Sequence, residues 1–131
     1  MNALMIYINE RDVFAPQRLR YSLANISGVR DLDGENFSDS PVACNYDFAD
    51  DTTTLRLARD LRAIFIHGTG DASLNLALEL QRREPRPLRV TDLGYDFEFS
   101  LQSVRTIGEM LHKINAEVYE TEQPAPVEKV A

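Results

Sequence analysis

The sequence predicts an α+β domain: a single mixed, mostly antiparallel β-sheet with about three helices packed mainly on one face. Three observations carry this expectation. Segments whose apolar residues recur with period two alternate with segments of helical period, in the order strand, helix, three strands, helix, one or two strands, helix. The chain has 131 residues, 44% of them hydrophobic, enough for one domain to bury a core without disulfide or metal staples. The apolar run Ala63-Ile-Phe-Ile66 passes through His67 and Gly68-Thr-Gly70 into a helical pattern, a strand-to-helix junction of the α/β type.

Ala3 to Ile8 is an apolar run of strand length and is expected in the interior of the sheet. Pro16 suits a first helical turn, Leu19, Leu23 and Ile26 recur at helical spacing, and Gly28 fits the position just past the helix end. Residues 29–41 are rich in Asp, Gly, Asn, Ser and Pro and predict a surface loop. Val42, Cys44, Tyr46 and Phe48 then alternate with Ala43, Asn45, Asp47 and Ala49, the signature of a strand half buried on one face. Asp50-Asp51 turns it, and Thr53, Leu55 and Leu57 followed by Ala63 to Ile66 extend it into an antiparallel meander over 42–67. A helix from Thr54 to Leu61 competes with the middle strand, but three consecutive threonines favour the strand.

Asp71 is expected to cap the next helix, whose broad apolar side carries Leu74, Leu76, Ala77, Leu78 and Leu80 and ends before Pro85. If the strands flanking 71–87 are parallel neighbours, their connection is right-handed. Leu88 to Leu93 and the alternating Tyr95, Phe97, Phe99 and Leu101 supply further strand material, broken at Gly94 by a bulge or turn. That aromatic face suits either core closure or a homodimer interface. Ser103 is expected to cap a last helix bearing Val104, Ile107, Leu111 and Ile114. Residues 1–116 thus predict one globular domain, and 117–131 an acidic, proline-containing disordered tail.

Composition limits function more than it assigns it. A net charge of −7 disfavours nucleic acid or an anionic membrane as the main partner, because both are bound through clustered Lys and Arg. No apolar run nears the roughly 20 residues of a bilayer span, and the N-terminus lacks a signal-peptide pattern, so a cytoplasmic location is expected. The single cysteine, Cys44, alternates with apolar residues and is expected to be an inward-facing structural thiol. Asp31, Asp33, Glu35, Asp39, Asp47, Asp50 and Asp51 lie in a stretch with no basic residue, whereas arginines dominate residues 52–90. Asp31, Asp33, Glu35, Asp39, Asp50 and Asp51 are therefore the candidate residues for meeting a protein partner. Solvated faces that neutralise each other across the fold are the simpler reading of the same charges.

The Asp31-Leu-Asp33-Gly34-Glu35 stretch has its glycine and its twelfth residue, Val42, in the wrong places for a helix-loop-helix calcium site. No His, Cys, Asp or Glu spacing matches a zinc site, and neither a metal nor a cofactor is expected. The candidate ligand-binding residues are His67, Gly68, Gly70, Asp71 and Ser73, since a helix N-terminus after a glycine turn presents backbone N–H groups to an anion. Ser73 stands where a dinucleotide fingerprint has its third glycine, no Lys-Ser or Lys-Thr completes a P-loop, and a capping Asp71 would repel phosphate. No catalytic residues emerge.

The segment Ile64-Phe-Ile-His-Gly-Thr-Gly-Asp71-Ala-Ser73-Leu, with the strand near Leu88 and the helix near Val104, resembles the second half of the STAS domains of anti-sigma-factor antagonists over residues 62–114. That resemblance implies phospho-regulation of partner binding, with Ser73 as the phosphosite. The pattern departs from the family where Ala72 separates Asp71 from Ser73 and where the following glycine is missing. The leading expectation is a non-enzymatic protein-interaction or regulatory module, docking through the acidic segment and an exposed sheet edge. The alternatives are the STAS-like antagonist and a small-ligand or phosphate sensor or enzyme using the 67–73 turn.

Overall fold

A computed structural model describes residues 3–34, 37 and 39–122, with side chains described as far as residue 116. Its strands are β1 (Ala3–Tyr7), β2 (Val29–Arg30), β3 (Ala43–Phe48), β4 (Asp51–Leu57), β5 (Ala63–His67), β6 (Arg89–Asp92) and β7 (Glu98–Ser100). Its α-helices are α1 (Pro16–Ala24), α2 (Asp71–Arg83) and α3 (Ile107–Glu122). The strands form one sheet in the order β2-β3-β4-β5-β1-β6-β7, and every neighbouring pair is antiparallel.

The sheet is therefore antiparallel throughout rather than mixed. The strands on either side of α2, β5 and β6, do run in the same direction, but β1 lies between them and pairs with both. They are not parallel neighbours, so the condition attached to a right-handed connection is not met. The competing helix over 54–61 does not form: Thr53, Leu55 and Leu57 of β4 all point into the core, a period of two that no helix supplies. The two residues of β2, inside the expected loop, pair with Tyr46 and Asn45.

The core fills the space between one face of the sheet and the helices. Leu4 and Ile6 of β1, Ile64 and Ile66 of β5, Leu55 and Leu57 of β4, and Cys44 and Tyr46 of β3 meet Leu74, Ala77 and Leu78 of α2. Phe97, Phe99 and Leu101 close the core at the far edge, while Tyr95 is 72% exposed in the turn between β6 and β7. Among the described side chains of α3, Met110 is buried, and Leu111, expected on that face, is exposed.

Two helix starts differ from expectation. The residue preceding α2 is Gly70, and Asp71 is its first helical residue. The hydroxyl of Thr106, rather than Ser103, accepts from the Glu109 N–H at the start of α3, and Glu109 in turn accepts from the Arg105 N–H. Ser103 instead belongs to a short 3-10 turn and donates to the Ser100 carbonyl. The expected boundary at residue 117 falls within α3, which runs to Glu122; residues 123–131 of the expected tail lie outside the described residues.

Gly28 is required by geometry. Its φ is +101°, and a Cβ there would stand 2.5 Å from the Asp47 carbonyl oxygen.

Candidate functional site

The strand-to-helix turn at 67–73 is built around a carboxylate from elsewhere in the chain. Asp51 opens β4, and its Oδ2 accepts a hydrogen bond from the Ala72 N–H at 3.0 Å. A Cβ on Gly70 would lie 2.6 Å from that same Oδ2. Gly70 is thus a glycine because Asp51 approaches so closely, and Gly68 because its φ is +76°. Neither requirement involves a phosphate. A fixed negative charge sits where an anion would bind, satisfying a helix N-terminal N–H that an anion would use.

Ser73 is similarly engaged. Its Oγ, in a residue only 1% exposed, donates to the His67 carbonyl at 2.6 Å and lies 3.1 Å from the Thr53 hydroxyl, which itself donates to His67 O at 2.5 Å. These contacts stitch the end of β5 to β4 and α2. The His67 ring is exposed, so the turn brings its backbone, rather than its imidazole, to Ser73. Among the described residues no group of three His, Cys, Asp or Glu is arranged to hold a metal ion.

The acidic candidates are separated by the fold. Asp33 pairs with Arg20 of α1 at 2.6 Å and accepts from Ala43 N, while Asp31 pairs with Arg30 and accepts from Asn45. Asp47 pairs with the same Arg30 at 2.7 Å; hydrogen bonds from Arg30 and Thr52 hold its carboxyl below the usual range. Asp51 faces α2, Asp39 and Asp50 are exposed, and Glu35 lies outside the described residues. Much of this segment's charge is thus used inside the protein. The sheet edges are short as well: β2 has two residues, and β7 three, with the Ser100 carbonyl taken by Ser103.

Cys44 is fully buried, and desolvation, with a smaller contribution from Asp33, pushes its thiol up to about 12. A cleft between α1 and the end of α2 is lined by Phe14, Leu19, Leu80 and Leu88 with Arg18, Glu84 and Arg86. Burial pushes the Glu84 carboxyl up, but hydrogen bonds and charge from Arg86, with the charge of Arg18, outweigh it and hold it below the usual range. The charged groups of this cleft thus largely satisfy one another.

The less expected surface is the sheet face that, among the described residues, carries no helix. Register places Arg56, Phe65, Met5, Thr91 and Glu98 side by side across β4, β5, β1, β6 and β7. Directly paired residues share a face, and this row is opposite to Leu55, Ile66, Leu4 and Ile6 in the core. Met5, Tyr7 and Phe65 are only half-buried there, and a groove beside them is lined by Ala3, Thr54, Arg56, Phe65 and His67. The Arg56 guanidinium lies 4.9 Å from the centroid of the Phe37 ring. The sequence did not single out these residues, because in Ala3-Leu-Met-Ile-Tyr-Ile8 both phases of the alternation are apolar. Ala43 and Thr91, on the same face, are fully buried, so the face is partly covered; polar residues outward are ordinary for an antiparallel sheet, and an apolar middle is the departure.

No family model, curated protein or solved structure matches this chain. The functional reading therefore rests on the residues themselves. No helix among the described residues is long and apolar enough to cross a membrane.

Proposed function

We propose that this protein is a non-enzymatic protein-interaction or regulatory module that docks through the helix-free face of its sheet. The observation that carries the reading is the half-buried Met5, Tyr7 and Phe65 cluster at the middle of that face. Apolar side chains grouped at the centre of a surface, with polar groups around them, are the usual anatomy of a protein contact. Support also comes from what the 67–73 turn already holds: Asp51 on the helix N-terminus and a buried, doubly engaged Ser73 hydroxyl. Both weigh against the phosphate-sensor and Ser73-phosphosite alternatives.

The test compares tagged wild-type protein with Phe65→Asp and Ser73→Ala variants, each checked for native circular dichroism, by co-purification and intact-mass measurement. The reading expects a stoichiometric protein to be lost with Phe65→Asp and retained with Ser73→Ala. It also expects no thermal stabilisation by millimolar inorganic phosphate beyond that of a salt control. Phosphate covalently present on Ser73, or specific stabilisation by inorganic phosphate that Ser73→Ala removes, would overturn it.

A further inference from the structure

One row of the helix-free face is balanced in charge about β1, and that balance points to what covers it. In the strand order, β4 and β5 lie on one side of β1 and β6 and β7 on the other, with β3 and β2 continuing the sheet beyond β4. The row through Met5 carries a cation, Arg56, two strands away and an acid, Glu98, two strands away on the opposite side, with Ala43 of β3 beyond Arg56. Phe65 and Met5 supply its apolar middle.

We propose that this face is the interface of a homodimer, its occupant a second copy of the chain. This rests on the proposed docking role of the same face. A two-fold axis in the interface plane, running along β1, lays β4 of one copy over β7 of the other and brings Arg56 opposite Glu98 of the second copy, twice by symmetry. The same operation sets Met5 against Met5 and Phe65 over the strand of Thr91, itself fully buried with its hydroxyl donating to the Phe97 carbonyl, and keeps the strands of the two sheets aligned, as in face-to-face sheet packing. Glu98 already meets Arg89 within its own chain at 3.2 Å, in a surface pair whose partners are 44% and 41% exposed. Arg56 has no carboxylate partner among the described ion pairs; it lies over the Phe37 ring and donates to the Ser40 hydroxyl at 3.4 Å.

The complementarity dictates the experiment. Sedimentation of the full chain across roughly 1 to 300 µM should show a reversible monomer–dimer equilibrium, the range in which interfaces of modest quality titrate. Arg56→Glu and Glu98→Arg should each weaken self-association by about tenfold or more, since each sets like charges opposite one another in both symmetric contacts. An equimolar mixture of the two variants should restore association, because each contact then joins opposite charges. A wild-type monomer throughout the range overturns the homodimer, while the wider docking role still stands or falls on Phe65→Asp in co-purification. A wild-type dimer that Arg56→Glu does not weaken, or variants that fail to rescue each other when mixed, overturns this geometry.

Discussion

Replacing Asp51 should cost more stability than replacing Asp71, although Asp71 is the residue inside the helix. Asp51→Ala removes a charged acceptor from the N–H of Ala72, a residue fully buried in the intact protein. A lost capping interaction costs about 0.5–2 kcal/mol, and a buried donor left without a partner about 1–3 kcal/mol. With Asp51 itself only half-buried, we expect about 1.5 kcal/mol in all. Asp71→Ala loses only the helix-dipole contribution of a first-turn carboxylate, about 0.5 kcal/mol. Urea unfolding followed by circular dichroism reads the difference directly: at about 2 kcal/mol per molar urea, the midpoint should fall by ~0.7 M for Asp51→Ala and ~0.2 M for Asp71→Ala. A second arm tests the link to binding. Removing Asp51 opens the α2 N-terminus, so sulfate should stabilise Asp51→Ala more than wild type; a site with Kd on the order of 10 mM gains ~1.4 kcal/mol at 100 mM sulfate. If Asp71→Ala costs more than Asp51→Ala, or if sulfate acts equally on both proteins, the long-range carboxylate is not what occupies this helix end.

Two further outcomes follow from other parts of the fold. Gly28→Ala should lower stability by about 2 kcal/mol, or roughly 6–10 °C in Tm, because the new Cβ meets the Asp47 carbonyl at 2.5 Å from a backbone with φ of +101°. An unchanged melting temperature would show that this turn relaxes freely. Cys44 should resist a thiol reagent such as DTNB at pH 8 in the native state and react at once in urea, since a thiol at about 12 is roughly one part in ten thousand ionised there. The same burial sets a sign for alkaline stability. Cys44 and Tyr46 are both raised by desolvation, so their contribution is complete below their unfolded values and is lost as pH climbs towards the folded ones. Stability should decline from about pH 9 upward, and a flat profile between pH 8 and 11 would contradict this.

Local order was largely legible in the sequence, and long-range pairing was not. Period-two patterns marked β3 and β4, whose core-facing positions are mostly apolar and whose other positions are largely polar, and the apolar run Ala63 to Ile66 marked β5. They could not reveal that β1 separates β5 from β6, since that arrangement depends on residues more than fifty positions apart choosing each other. The α2 N-terminus failed for a related reason: its carboxylate comes from Asp51, twenty-one positions before Ala72, whereas capping rules look only at neighbours. In the acidic stretch, Asp31, Asp33 and Asp47 pair with Arg20 and Arg30, partners that lie outside the stretch and that its run of acids does not reveal. Gly68 has a positive φ, and Gly70 leaves room for the close approach of Asp51, a contact from a distant part of the chain.

The position of β1 also bears on how the chain is made. As the polypeptide leaves the ribosome, Leu4 and Ile6 emerge early, yet their strand partners are Ile66 and Ile64 on one side and Asp92 and Val90 on the other. The hairpins over residues 29–67 pair largely locally and can assemble while the rest is still being translated. β1 must wait with both edges unsatisfied until β5 has emerged, and with one edge still open until residue 92 has been synthesised and released. An apolar strand kept waiting in this way is a template for the wrong partner. The interval before β6 arrives is thus when the nascent protein has most need of a chaperone.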